Sequence, residues 1–369
     1  MGSSDEIKKK RVILTITADP AFDQRMIRVC NSLAKNGLDV LLVGRKLWNT
    51  SAAGPVGYRH KRLICLIRKG PLFYAVYNIR LLFILLFYRC DICVAVDLDT
   101  ILPNRITAGI KGKRLVFDAH EYYTEVPELK NRKLVRWIWE KIGRICVPGA
   151  DLCYTVSGSL ARELGIKYNK HFHVVMNAPE LNSVAVSEPA EKPATIIYQG
   201  HLNPGRGLEE AIMAIERTDA RLLIAGDGPL RRKLERLVTE IGVEQKVTFT
   251  GIIDRETLEE LTRRASIGLN LLDADSKSYY LSLSNKFFNY IHAGIPQICA
   301  DFPEYREINS RWKVAVLCEY SVKDLRAAIE LLSADSGYYE RLRKNCAEAA
   351  SSLNWQTEEK KLTALFNVL

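Results

Sequence analysis

TIIYQGHLNPGRGLEEAIMAIERTDARLLIAG, Thr195–Gly226, reads as one strand–helix–strand unit. TIIYQG is a short apolar run with no polar alternation, as in a strand buried on both faces. Gly200, Pro204, Gly205 and Gly207 then punctuate a turn. GLEEAIMAIER carries its apolar residues at helical spacing, and ARLLIAG is a second buried strand. A helix between two such strands is the crossover of a parallel sheet.

The alternation continues outward. Downstream come PLRRKLERLVTEIG (helix), KVTFTG (strand), LEELTRRA (helix), SIGLNLL (strand), the SNKFFNYIHAG helix and PQICA (strand), followed by two helical runs. Upstream, RVILTI, LDVLLVG, RLICLI, DICVAV, RLVFDA, LCYTV and HFHVVMN are strand-like, and helical runs separate most of them. Between the two series lies ELNSVAVSEPAEKPA, poor in aromatics and holding two prolines, which reads as a linker. The expectation is an α/β protein of two doubly wound, Rossmann-like domains facing across a cleft. Residues 1–179 form the first domain, 180–194 the linker and 195–350 the second domain. Residues 351–369 form a terminal helix, with Trp355, Leu362, Leu365 and Phe366 as apolar anchors, packing back on the first domain.

Composition narrows the class. The nine cysteines are odd in number and mostly sit in apolar runs, which suits a reduced, cytosolic protein. Cys90-x-x-Cys93 stands alone, without the second pair or histidines that zinc needs. MGSSDEIKKK is polar and reads as no signal peptide. PLFYAVYNIRLLFILLFY, residues 71–88, is interrupted by Arg80; it suits a packed helix or one dipping into a membrane face better than a span. Charge is one-sided: residues 1–180 hold 29 Lys+Arg against 16 Asp+Glu, +13, whereas residues 181–369 come to −3. Such a field favours an anionic membrane, a polyanion or a phosphorylated partner. The helix RKLVRWIWEKIGR mixes basic residues with Trp137 and Trp139, as membrane-surface helices do, and no nucleic-acid recognition module accompanies it.

Candidate chemistry gathers at strand ends. No G-x-G-x-x-G follows RVILTI, which argues against a dinucleotide cofactor. In HLNPGRG, Arg206 stands between two glycines at a helix start, a setting that suits a diphosphate or a plain strand–turn–helix link. In SNKFFNYIHAG, Ser284 is placed to cap a helix starting at Asn285. Lys286 then opposes the helix dipole unless an anion sits there, and Asn289 shares its face and would reach a ribose. Gly200, Gly226, Gly228 and Gly251 end strands where a backbone could approach a nucleobase. In RLVFDAHEYYTEVPE, His120 is the histidine best placed for chemistry, with Glu121 beside it and Tyr122 and Tyr123 available to stack on a ring. DLDT, with Asp97 and Asp99, and the loop holding Asp23 and Arg25 are placed to shape an acceptor side.

These segments together resemble the retaining bacterial glycosyltransferases of family 4, which have the GT-B fold. The resemblance rests on DQRMIRVCNSLAKNGLDVLLVGR, FDAHEYYTEVPE, YQGHLNPGRGLEEAI, LLIAGDGP, VTFTG and SNKFFNYIHAGIP, in that order. It implies a nucleotide-sugar donor, UDP-sugar favoured and GDP-sugar an option, held by the second domain, and an acceptor held by the first. It implies Arg206 and Lys286 on the donor diphosphate, His120 beside the donor sugar, no cofactor and no metal. It implies a hexosyl- or N-acetylhexosaminyltransferase of polysaccharide or surface-glycan assembly, cytoplasmic or peripheral on the inner membrane face, with a glycan or polyprenyl-diphosphate-linked acceptor. Two departures stand out. The family's pair of glutamates eight positions apart is here Leu281 and Asn289, and its frequent arginine is His201. The rival classes are a sugar-nucleotide epimerase of the same outline and a non-catalytic protein binding anionic membrane or nucleic acid.

Overall fold

The structure is a computed structural model that describes residues 9–47, 56–181 and 194–369. They form two compact units, Met1–Asn177 with Glu358–Leu369, and Ala178–Thr357. Most of the segment expected to link the domains, residues 182–193, lies outside the described residues.

The first unit is built on seven parallel strands in the order β3-β2-β1-β4-β5-β6-β7. In chain order its elements are β1 (Arg11–Thr15), α1 (Gln24–Lys35), β2 (Asp39–Lys46), β3 (Arg59–Ile64), α2 (Gly70–Phe87), β4 (Ile92–Val96), α3 (Leu98–Lys111), β5 (Arg114–Ala119), α4 (Lys133–Cys146), β6 (Leu152–Thr155), α5 (Gly158–Tyr168) and β7 (His173–Val174). Strands β1 and β4 are buried along nearly their whole length, because helices cover both faces of a parallel sheet. Strand β3 starts and ends three residues before the apolar run RLICLI. As an edge strand it pairs on one side only, so register to β2, not hydrophobicity, sets its bounds. For the same reason HFHVVMN pairs over only two residues.

The second unit has six parallel strands in the order β10-β9-β8-β11-β12-β13. Its elements are β8 (Thr195–Gln199), α6 (Leu208–Ile215), β9 (Arg221–Ala225), α7 (Arg231–Ile241), β10 (Val247–Gly251), α8 (Arg255–Arg264), β11 (Ile267–Asn270), α9 (Lys277–Tyr280), α10 (Asn285–His292), β12 (Gln297–Ala300), α11 (Pro303–Trp312), β13 (Ala315–Cys318), α12 (Val322–Ala334), α13 (Ser336–Ser352) and α14 (Trp355–Asn367). Strand β13, AVLC, was not expected from the sequence; it is half-buried and gains its pairing from β12.

The unit boundary divides α14. The Trp355 N–H donates to the Pro179 carbonyl (2.8 Å) in the second unit. In the first, the buried Glu358 carboxylate accepts the Met176 N–H at 2.9 Å, and Phe366 packs edge-on to Tyr154, 6.5 Å between ring centres. Leu362 and Phe366 are buried. Phe366→Ala is expected to cost about 3–5 kcal/mol of stability, read as a lower midpoint in denaturant.

Candidate active-site residues of the two domains

In a doubly wound sheet, ligands bind beyond the carboxyl ends of the strands, where the strand order reverses. The reversals lie between β1 and β4 in the first domain and between β8 and β11 in the second.

In the first domain the residue after β4 is Asp97, with φ 56° and ψ 175°. That region is nearly confined to glycine, and strain of this kind concentrates at functional sites. Two bonds hold it: its N–H donates to the Asp118 carbonyl (2.8 Å), and its carboxylate accepts the His120 N–H (2.8 Å). His120 follows β5 directly. Its Nε2 lies 3.1 Å from Asp118 Oδ2 and 3.0 Å from Arg25 Nε, and its Nδ1 lies 3.9 Å from Asp97 Oδ2. Burial works against a charged imidazole, but Asp118 and Asp97 outweigh it and push His120 up to about 9. Burial also pushes the Asp118 carboxyl up, and His120 and Arg25 outweigh it, so Asp118 is held below its ordinary value. His120 and Arg25 thus share the one buried carboxylate of Asp118, and the Arg25 Nε–H is directed at His120 Nε2. Nδ1 is the ring nitrogen left for a ligand.

Several first-domain residues sit differently from the sequence reading. Arg25 is not on a loop: it lies in the first turn of α1, 4% exposed, bonding Asp118 (3.3 Å) and the Val175 carbonyl (3.2 Å). Asp23 caps α1, accepting the Met26 N–H at 3.0 Å. Asp99 is buried in the first turn of α3, where its carboxylate accepts from the Thr17 hydroxyl at 2.5 Å and burial pushes it up to about 6. Tyr122 is buried under Lys167, with Nζ 4.7 Å from the ring centre, and Tyr123 is half-buried and packs edge-on to Trp139. Glu121 is exposed.

In the second domain the loop after β8 holds Arg206, and α10 starts beyond β11. The Arg206 guanidinium lies 4.5 Å from the Tyr279 ring centre, and Lys286 Nζ lies 5.1 Å from that of Tyr198. Both side chains are half-buried, and among the described residues neither has an ion pair with a carboxylate. Arg206 Nε is buried without a hydrogen-bond partner. Burial, and then the charge of Arg206, bring the Lys286 ammonium down to about 7. Asn289 is exposed on the same helix, and Leu281, in place of a glutamate, is buried. His201 is exposed.

Two expected helix-terminus donors are already used. The Ser284 hydroxyl does not cap α10; it donates to Asn270 Oδ1 at 2.8 Å, and its N–H donates to the Tyr305 hydroxyl at 3.2 Å. The Gly207 N–H at the start of α6 donates to the Tyr320 hydroxyl at 3.2 Å.

The glycines also have another role. A Cβ on Gly226 would lie 1.9 Å from the Gly200 carbonyl oxygen, and one on Gly228 would lie 2.6 Å from the Leu202 nitrogen. The close approach is between the loops after β8 and β9, closed by Leu202 N–H to Asp227 C=O at 3.0 Å. Gly251, at φ 70°, bridges Gly226 from β10. Gly226→Ala is expected to lose about 3 kcal/mol or more, whereas Gly242→Ala, also at positive φ but in open space, loses about 1 kcal/mol. Thermal unfolding of the two variants separates backbone strain from the clash.

The sequence reading did not single out Asp118, Tyr198 or Tyr279. Asp118 had a signal, a carboxylate inside the apolar run RLVFDA, but tyrosines in strands and helices are ordinary core residues. Among the described residues no group of three or more His, Cys, Asp or Glu is placed to hold a metal ion.

Residues 24–181 match the family described as Glycosyltransferase Family 4, and residues 181–351 match Glycosyl transferases group 1. An uncharacterized glycosyltransferase of Methanocaldococcus jannaschii is 38% identical over 76 residues, a match that spans 20% of either chain. Sucrose-phosphate synthase from Thermosynechococcus elongatus has a TM-score of 0.79 at 18% identity, over 97% of this chain and 98% of that one. The Anabaena protein HepE, solved in complex with UDP-glucose, has a TM-score of 0.74 at 14% identity, over 97% and 100%. At such identities the likeness to solved structures is one of fold. Two Rossmann-like domains in series, each half matching a glycosyltransferase family, make this chain a GT-B-fold protein related to the glycosyltransferases of family 4 and group 1.

Proposed function

We propose that the protein is a retaining glycosyltransferase of family 4. It moves a hexosyl or N-acetylhexosaminyl group from a nucleoside-diphosphate sugar, UDP-sugar favoured, to a glycan or polyprenyl-diphosphate-linked acceptor in surface-glycan assembly. The observation that carries the reading is the pair Arg206 and Lys286. The charge of Arg206 works against that of Lys286, and among the described residues neither has an ion pair with a carboxylate. A diphosphate would offset both charges, and HepE, of the same fold, is solved with UDP-glucose.

The chemistry follows from that charge. The bond from the anomeric carbon to phosphate oxygen lengthens, the sugar becomes oxocarbenium-like, and negative charge grows on the nucleoside diphosphate. Arg206 and Lys286 stabilise that charge more in the transition state than in the ground state. The acceptor hydroxyl attacks from the same face, and the leaving phosphate oxygen takes its proton, so no side-chain base is required. His120 serves as a donor through Nδ1–H that holds a sugar hydroxyl against Asp97.

The test is a donor panel. UDP- and GDP-sugars are incubated with the protein and scored for thermal protection and then for hydrolysis. Protection by one nucleotide sugar with slow release of free sugar supports the reading; indifference to all of them overturns it. A product that is an isomeric nucleotide sugar, formed without acceptor, would identify an epimerase.

A further inference from the structure

Helix α2 is apolar on two faces. Phe73, Tyr77, Leu81 and Leu85 are buried, whereas Leu72, Val76, Ile79, Phe83 and Phe87 are exposed, Phe87 by 82%. Each set falls at helical spacing, so one stripe faces the core and the other faces out. Helix α3 packs on α2, and α4 packs on α3. Both add exposed apolar residues: Leu102, Ile106 and Ile110 on α3, and Leu134, Trp137, Ile138 and Ile145 on α4. Exposed apolar residues on three adjacent helices are the kind of surface that marks an interaction site.

Its charges are mostly basic, with Glu121 and Glu128 the exposed acids on the connection that leads to α4. Helix α2 has no acidic residue, the acid of α3 is the buried Asp99, and that of α4, Glu140, is paired with Arg136. Arg68 and Lys69 stand exposed before α2, and Lys130, Arg132 and Lys133 at the start of α4. These helix starts follow β3 and β5, and in a parallel sheet those strand ends share the edge at which His120 sits. The basic rim therefore lies on the catalytic edge, and the apolar stripes run away from it.

We propose that this three-helix face seats the first domain on an anionic lipid bilayer. The basic helix starts lie among the headgroups and the outer stripes of α2, α3 and α4 lie at the acyl boundary, without spanning. A bilayer fits because the apolar area is broad and its rim is cationic, the pairing that peripheral membrane proteins use. The proposal deepens the lipid-linked acceptor reading and rests on it for the acceptor alone. The orientation brings the His120 edge to the lipid surface, where a polyprenyl-diphosphate acceptor would be presented.

The experiment is sedimentation of the full chain with phosphatidylcholine vesicles, with and without phosphatidylglycerol. The protein is expected to pellet with the anionic vesicles, and partition falls at least about tenfold for K69S/R132S/K133S and for F83S/F87S. All five positions are exposed, so thermal unfolding and donor-sugar hydrolysis in solution stay as in the unaltered protein. The proposal is overturned if the protein stays in the supernatant with both vesicle types, or if both variants pellet like the unaltered chain. It is also overturned by a solution dimer that F83S dissolves, with no vesicle binding. Hydrolysis without vesicle binding sinks this proposal alone; vesicle binding without donor hydrolysis sinks the transferase reading and leaves the surface standing.

Discussion

Arg206→Ala and Lys286→Ala are each expected to lower nucleotide-sugar turnover by about 10²–10³-fold, the loss seen when one preorganised partner of a developing oxyanion is removed. The effect falls mainly on kcat, because the charge on the leaving diphosphate grows as the bond breaks. Lys286 adds a second signature. Its ammonium is brought down to about 7 from an ordinary 10.5. A bound diphosphate reverses that shift, so UDP binding near pH 8 takes up a proton. Calorimetry in buffers of different ionisation enthalpy measures the uptake, and Lys286→Met abolishes it. The sign for stability is opposite. The charged lysine penalises the folded state as pH falls from 10.5, and the penalty is complete below about 7. Without ligand, Lys286→Met is therefore more stable than the parent at pH 6, and the difference shrinks towards pH 10. Full turnover in both alanine variants, with no proton uptake on binding, would sink the assignment even with the fold correct.

The second expectation concerns His120. Its pKa of about 9, against an ordinary 6.5, makes it an imidazolium at neutral pH. Activity dependent on that charge holds through pH 7–8 and falls as pH passes about 9, without the rise near 6.5 that a general base gives. The stability from the His120–Asp118 pair is complete below 6.5 and is lost as pH rises through 9. Asp118→Asn removes the carboxylate that holds the proton and moves the alkaline limit towards 6.5. At pH 8 that is a loss of about thirtyfold, recovered in large part at pH 6. A purely structural role for Asp118 predicts a loss equal at both pH values. Because Asp118 also neutralises Arg25, an NMR titration of the His120 ring in the same variant keeps the test decisive if stability drops.

Much of the fold was legible in the chain because a strand–helix–strand unit is a local pattern. Buried strands such as β1, β4 and β8 announce themselves by unbroken apolar runs. Edge strands do not. The bounds of β3 and the existence of β13 depend on pairing with β2 and β12, which no window along the chain contains. Among candidate residues, Arg206 and Lys286 could be noticed because each stands at a helix start, where an unmatched cation is an anomaly in sequence.

Their surroundings could not be read in the same way. Arg25 meets His120 across 95 residues of chain, and Tyr198 lies under Lys286 from another strand end. Gly226, read in the sequence as room for a ligand, also makes room for the Gly200 carbonyl. Residue order alone settled the alternation of elements, the absence of a dinucleotide loop and the positions of the cations, since periodicity and turn chemistry act over a few neighbouring residues. Tertiary packing decided what surrounds Arg206 and Lys286, which charges meet His120 and which apolar stripe stays outside. Desolvation and Coulomb energy depend on distance through space, and the groups that set them are far apart along the chain.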